Sequence, residues 1–220
     1  MSVILITGAS RGIGFEFAKQ YKDRGDTVIA VCRKSNASLD QLGVEVVTGI
    51  DVTNAEDISK LKIALNGRTI DILINNAGIF LNESLDDMNF DTIIEQFKVN
   101  SVGPLRVTHG LLDCLIKGSK VGIVSSRMGS VEDNTSGSHY GYRMSKGAVN
   151  SAGKSLSNDL EPQGIAVALL HPGYVRTEMT GGAGEINADQ SAKGLIKILD
   201  KLNVSNTGRF WHTNGSSLSW

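Results

Sequence analysis

Proline is nearly absent, 3 in 220 residues, which excludes a proline-rich linker or a disordered chain of that composition. Cysteine is scarcer still, with only 2, and Cys32 and Cys114 show neither a CxxC nor a Cys/His ligand spacing. That leaves no disulfide framework and no zinc pattern, only two reduced, buried thiols. No apolar run approaches the roughly 18 residues that a spanning helix needs. The first short apolar run, Val3–Ile6, follows no basic segment and leads straight into Thr7-Gly8. A soluble, cytoplasmic protein with no membrane partner is the expectation. Neither sign of charge is in excess: 22 basic against 23 acidic residues leave a net charge of −1. With no Lys/Arg block there is no electrostatic footprint for a nucleic acid or an anionic surface.

Glycine is what the chain has in quantity, 25 residues, so specific turns are to be expected. The length suits one domain over residues 1–220. Short β-branched runs alternate with segments of helical period, the pattern of repeated βαβ units. The runs are 3–6, 27–32, 44–50, 70–74, 121–124, 165–170 and 208–211. They predict an α/β fold: a doubly wound, Rossmann-type parallel sheet of about seven strands with helices on both faces. Helices are expected over 15–24, from Asn54 with Asp57 as its capping-box partner, and over 142–160 before Pro162. The stretch 89–117 contains Gly103-Pro104 and reads as two helices or one broken helix.

The first strand runs into Thr7-Gly8-Ala9-Ser10-Arg11-Gly12-Ile13-Gly14 and then a helix. A glycine-rich turn at a helix N-terminus offers free N–H groups and the positive end of a dipole to a pyrophosphate. The spacing is G-x-x-x-G-x-G, and no Gly-Lys-Ser/Thr follows, which disfavours a nucleoside-triphosphate loop. Structural glycines alone are the plainer alternative. After the second strand come Cys32-Arg33-Lys34, with no acid in 28–34 to hold ribose hydroxyls. Arg33, Lys34 and Arg11 suit a 2′-phosphate, so NADP(H) is expected, with NAD(H) as the alternative cofactor and solvated surface charge as the bland reading. Asp51-Val52 ends the third strand, where the carboxylate could meet the adenine amine or merely stabilise its loop. Asn75-Asn76-Ala77-Gly78 ends the fourth, where amides and small residues could hold the chain against the cofactor.

Ser125-Ser126 ends the fifth strand, and Tyr142 and Lys146 follow at i, i+4, on one helix face. A phenol of pKa near 10 needs roughly 4 kcal/mol to fall by about three units. An ammonium about 4 Å away supplies that order of energy at an effective dielectric near 20. Two side chains on a solvated face are the alternative. No histidine spacing suggests a metal, and His171 reads as a strand-end hydrogen-bonding residue.

Thr7–Gly14, Asn75–Gly78, Asn100, Ser126, Tyr142 with Lys146, and Pro172-Gly173 occur in the order found in the short-chain dehydrogenase/reductases, which the sequence resembles from its first strand to about Thr177. The stretches 125–130 and 140–146 resemble more narrowly the C-factor, sniffer and carbonyl reductase branch. The resemblance implies that Tyr142 is the general acid at a carbonyl oxygen and that Ser126 hydrogen-bonds the same oxygen, with Ser125 as the fallback. It implies that Lys146 lowers the tyrosine pKa and binds the nicotinamide ribose, and that Asn100 holds a relay water. Pro172, Gly173, Val175 and Thr177 would face the carboxamide, through the Val175 backbone and the Thr177 hydroxyl. A small carbonyl or alcohol substrate and a homodimer or homotetramer built on the two long helices are also implied. Two departures concern the substrate: a long polar, flexible insert over 132–139, and a short lid with Gly181, Gly182 and Gly184, which suggest an open site. A dinucleotide-binding signalling protein of the C-factor kind is the competing reading. An epimerase or dehydratase is disfavoured by length.

Overall fold

The computed structural model describes residues 1–220. The β-branched runs form β1 (Val3–Thr7), β2 (Thr27–Val31), β3 (Glu45–Val47), β4 (Ile70–Asn75), β5 (Leu115–Val124), β6 (Ala166–His171) and β9 (Arg209–His212). These seven make one sheet in the order β3-β2-β1-β4-β5-β6-β9, with every pairing parallel. Alternation along each strand decides which helix layer a side chain meets. Leu5 of β1 and Leu73 of β4 join one core, with Ile58, Leu61 and Val107. Ile4, Ile6, Ile72 and Ile74 join the other, with Phe17, Tyr21 and Leu195. Strands covered on both faces read as continuous apolar runs, which is why they were legible.

The helices are α1 (Gly12–Asp23), α2 (Ala37–Gln41), α3 (Ala55–Leu65), α4 (Phe90–Phe97), α5 (Gly103–Gly110), α6 (Tyr140–Leu160) and α7 (Ala188–Lys201). Helix α3 starts where Asn54 predicts, its side chain accepting the Glu56 N–H at 2.8 Å. Asp57 does not complete a capping box: its carboxylate takes the Asp51 N–H and the Lys60 ammonium instead.

The break expected at Gly103-Pro104 is a single π turn, Lys98–Val102, between α4 and α5. Pro104 has no N–H for the carbonyl of Asn100 four residues earlier, and the widened turn sends the Gly103 N–H to Lys98 O. The chain does not stay helical to Lys117, however. After Gly110 and a short turn at Leu112–Cys114, Leu115–Lys117 already belong to β5, which is longer than 121–124 and carries a bulge opposite Ile70 and Ile72. Strand β3 is shorter than 44–50. Two strands absent from the expectation, β7 (Val175–Arg176) and β8 (Ile186–Asn187), pair with each other beyond β6.

Helix α6 lies close to the sheet because Gly153 has no side chain. A Cβ there would sit 2.4 Å from Leu169 Cδ1 and 3.3 Å from Ile123 Cδ1. Gly153→Val is expected to lower the unfolding free energy by about 1–3 kcal/mol in urea titrations. Combined with Leu169→Ala it should destabilise by less than the sum of the two single changes, since each relieves the other's misfit. Simple additivity would contradict this packing.

Candidate active site

The strand order reverses between β1 and β4, and the crevice past their C-terminal ends is where an open parallel sheet leaves room for a ligand. Thr7 Oγ1 accepts the N–H groups of Asn76 and Ala77 there, at 3.1 and 3.2 Å. The Asn76 amide donates to the carbonyls of Thr7 and Gly8, both at 3.1 Å. Gly14 lies so near that a Cβ would fall 2.2 Å from Gly8 O, and Gly8 itself has φ +67°. The glycines at 8 and 14 are therefore obligatory for the close approach. Helix α1 opens from this turn with no side-chain cap and no acid in its first turn, so its leading N–H groups and dipole face the crevice unopposed.

The crevice has a volume of about 640 Å³ and runs from the glycine turn to Tyr142 and Lys146. Gly8, Ser10, Arg11, Gly12 and Ile13 line one stretch, and Asn76, Ala77 and Gly78 another. Arg33, Asp51, Val52, Pro172 and Thr177 line it as well, Thr177 beside Gly12. Gly14 supports the turn from behind. Gly173 and Val175 lie just past Pro172, behind the residues that line the crevice. Gly173 (φ +86°) turns the chain into β7, Val175 is buried there, and its carbonyl accepts the Thr180 hydroxyl. Asp51 holds its own loop, accepting the N–H and hydroxyl of Thr53 at 2.8 and 2.7 Å. Arg11 is drawn across the crevice to Glu178, 2.8 Å away, a pair that sequence inspection missed.

Tyr142 stands in the first turn of α6, facing Ser126 at the end of β5. The Ser126 hydroxyl accepts the Met128 N–H at 3.1 Å and sits near enough to the phenol to draw its pKa down. Ser125 is committed elsewhere, donating to Asn150 Oδ1 at 2.5 Å. Lys146 is 4 % exposed; its Nζ donates to Val124 O at 2.9 Å and lies 5.6 Å from the centre of the Tyr142 ring. The expected lowering of the phenol by this lysine is not what the geometry holds. Burial pushes Tyr142 up to about 12, with Ser126 alone pulling it down, and burial brings Lys146 down to about 8. With its ammonium turned to a carbonyl, Lys146 leaves the phenol protonated across the neutral range. Burial also holds His171 at about 3, and its Nδ1 accepts the Arg127 N–H beside Ser126, the strand-end role expected.

Asn100 lies in the π turn with its side chain committed to neighbouring groups. Its amide is engaged with Ile79, accepting the N–H at 2.8 Å and donating to the carbonyl at 2.9 Å, and it donates to Ser145 Oγ at 3.0 Å. The segment at 132–139, read as flexible, is tied down. Arg127 pairs with Asp133, and the Arg143 guanidinium donates to the carbonyls of Gly137 and Ser138 and to Ser136 Oγ. The glycine-rich lid is likewise pinned at Thr180, whose Oγ1 accepts the Thr177 N–H at 3.1 Å and has the carbonyls of Val175, Thr177 and Ala183 within reach of its single hydrogen. The crevice thus combines an anion-binding helix start with a protonated phenol and a buried amine, with Ser126 behind its wall beside the phenol, a set suited to proton transfer at an oxygen next to a bound dinucleotide.

Comparison with known proteins agrees with that geometry. The family model described as short chain dehydrogenase matches residues 2–188. The chain is 40% identical, over 100% of both chains, to 1-hydroxy-2-glutathionyl-2-methyl-3-butene dehydrogenase of a Rhodococcus strain. It is 43% identical to the C-signal of Myxococcus xanthus, over 69% of this chain and 93% of that one. The structure of NADPH-bound carbonyl reductase from chicken fatty liver superposes with a TM-score of 0.91 at 27% identity, covering 100% of this chain and 99% of the other. No helix is long and apolar enough to cross a membrane.

Burial of Lys146 has a pH signature. Its folded pKa, about 8, lies below its ordinary 10.5. Under acidic conditions both states hold the proton and the burial penalty is complete. Between about 8 and 10.5 only the unfolded state holds it, so the penalty fades and stability rises with pH. Relative to Lys146→Met, the native chain should gain stability between pH 7 and pH 9.5 in urea titrations. Parallel curves would show an ordinary lysine.

Proposed function

The chain belongs to the short chain dehydrogenase family, and we propose that it is an NADP(H)-dependent oxidoreductase acting on a small carbonyl or alcohol through Ser126, Tyr142 and Lys146. The observation that carries this reading is the opening of the Tyr142 phenol onto the same 640 Å³ crevice as the uncapped start of α1. The residues present fit a phosphorylated dinucleotide. The glycine turn suits its pyrophosphate, and Arg33 and Lys34 suit a 2′-phosphate. An exposed pair such as Arg11–Glu178 is worth no more than about 1 kcal/mol, so Arg11 remains available to a phosphate. The chicken carbonyl reductase holds NADPH in the same fold.

When bound, the nicotinamide supplies or accepts hydride. Ser126, whose oxygen already accepts the Met128 N–H, keeps its hydrogen for a substrate oxygen. Tyr142, protonated across the neutral range, donates the proton that a carbonyl needs on reduction. Lys146 can carry or release a proton near pH 8 and is the source from which the phenol is refilled. Across Gly78 it faces Asn100: a Cβ there would lie 3.8 Å from Lys146 Nζ and 3.2 Å from Asn100 Oδ1. The Asn100 carbonyl, deprived of its α-helical donor by Pro104, is the group we assign to a relay water.

Calorimetric titration with NADPH and NADH, followed by an assay on aldehydes, ketones and a glutathione-conjugated alcohol, tests the reading. The last substrate is prompted by the Rhodococcus relative. NADPH should bind more tightly, and Arg33→Ala should erase the difference. Tyr142→Phe should lower kcat by about 10²–10⁴ and spare dinucleotide binding. Binding without turnover would favour a signalling role, for which the likeness to the C-signal speaks.

An exposed apolar stripe of Phe90, Ile94, Phe97 and Leu105 runs along α4 and α5. We assign it to a second copy of the chain, a face next to the helices of 100–117 and 142–160 at which pairing was expected. Light scattering should find a dimer or tetramer, and Ile94→Glu should give a monomer. A monomeric native chain would overturn that assignment.

A further inference from the structure

Glu83 belongs to no motif, yet its carboxylate is the most completely enclosed acid in the molecule, 1 % exposed, with no basic side chain in contact. Its Oε1 accepts the Thr92 hydroxyl and the Gln96 amide, both at 2.7 Å, and its Oε2 accepts the Gly141 N–H at 3.0 Å. Its carbonyl accepts the His139 N–H at 2.8 Å. One residue thus holds both sides of the start of α6, one residue ahead of Tyr142. That start is unusual: Ser138 and His139, neither a glycine, have φ of 53° and 56°, and His139 offers no side-chain cap to the helix. Gly141 presses so close that a Cβ would fall 2.4 Å from Gln96 Nε2 and 3.0 Å from Glu83 Oε1.

The orientation of the network is determined. Gln96 Oε1 accepts the Leu81 N–H at 2.9 Å, so its NH2 must face Glu83. Residues 79–83 are in turn stitched to the π turn and α4 through Asn100 and Gln96. From that segment Phe80 packs edge-on against the Tyr142 ring, 4.9 Å between centres, and against His139 at 5.3 Å.

We propose that Glu83 is a positioning residue for the reaction: by bonding Gly141 and His139 it holds the first turn of α6 in the conformation that aims the Tyr142 phenol at Ser126. This rests on the role assigned above to Tyr142. A glutamine at 83 has the same shape, yet it must turn an NH2 group toward either the Gln96 NH2 or the Gly141 N–H. Exchanging the two residues repairs the fault. In Glu83→Gln/Gln96→Glu, the carboxylate now at position 96 accepts the Leu81 N–H and the NH2 of the amide at position 83, and the oxygen of that amide accepts the Gly141 N–H.

Hydrogen exchange, dinucleotide titration and steady-state kinetics on the three chains make the test. Glu83→Gln should speed exchange of the amides at 140–145 by about tenfold, without speeding those over 150–160. It should lower kcat by about 10–100-fold with dinucleotide affinity unchanged. The double exchange should restore both. Unaltered kcat in Glu83→Gln, a uniform rise in exchange along α6 with loss of dinucleotide affinity, or failure of the double variant to recover would overturn the proposal. If Glu83→Gln does not fold, Thr92→Val, which removes one donor to Oε1, should shift exchange and kcat in the same direction by a smaller factor; no shift overturns it. Should the native chain turn over no carbonyl, the reading of Tyr142 fails, while exchange at 140–145 still reports whether Glu83 holds the turn.

Discussion

The close approach of Gly8, Gly14 and the Asn76 amide is the contact on which the remaining architecture depends. It joins the ends of β1 and β4 where the strand order reverses, and tolerates no Cβ at 8 or 14. With this turn in place, the start of α1 faces the crevice. The same crossing of strands brings the end of β5, and with it Ser126, within reach of α6. A bulkier turn would displace the helix dipole and the crevice together, because both are referenced to the same carbonyl.

At the other end of the crevice the chain places polar groups where burial works against them. Lys146 gives up water for a single bond to Val124 O, and the Tyr142 phenol is raised to about 12. Neither arrangement helps the fold, and apolar residues of the same size would pack there without the desolvation penalty. Groups held this way, facing a crevice with an anion-binding helix start, mark a site arranged for chemistry.

The scaffold under Tyr142 is built from side chains that bond backbone. Asn100 ties down Ile79, Gln96 ties down Leu81, and Glu83 holds the start of α6. The π turn caused by Pro104 sets the position of Asn100 in this series. A proline in a helix, which usually disturbs packing, here adjusts the register between α4 and the segment at 79–83.

By itself the sequence determined the parallel sheet, since strands covered on both faces must be continuously apolar, and it determined the glycine turn, since only glycine permits that approach. The pairing of Tyr142 with Lys146 was equally legible, because i, i+4 spacing is local. Tertiary structure alone decided what those groups experience. The turn of the Lys146 ammonium toward Val124 depends on a strand 22 residues away. Arg11 meets Glu178, and Glu83 meets Gly141 across 58 residues, contacts for which no spacing rule exists. The helical pattern over 89–117 failed to show that Leu115–Lys117 would be taken into β5, because strand pairing with β4 overrides local preference. Local geometry can be read from order along the chain; desolvation and long-range partners exist only once the layers have closed.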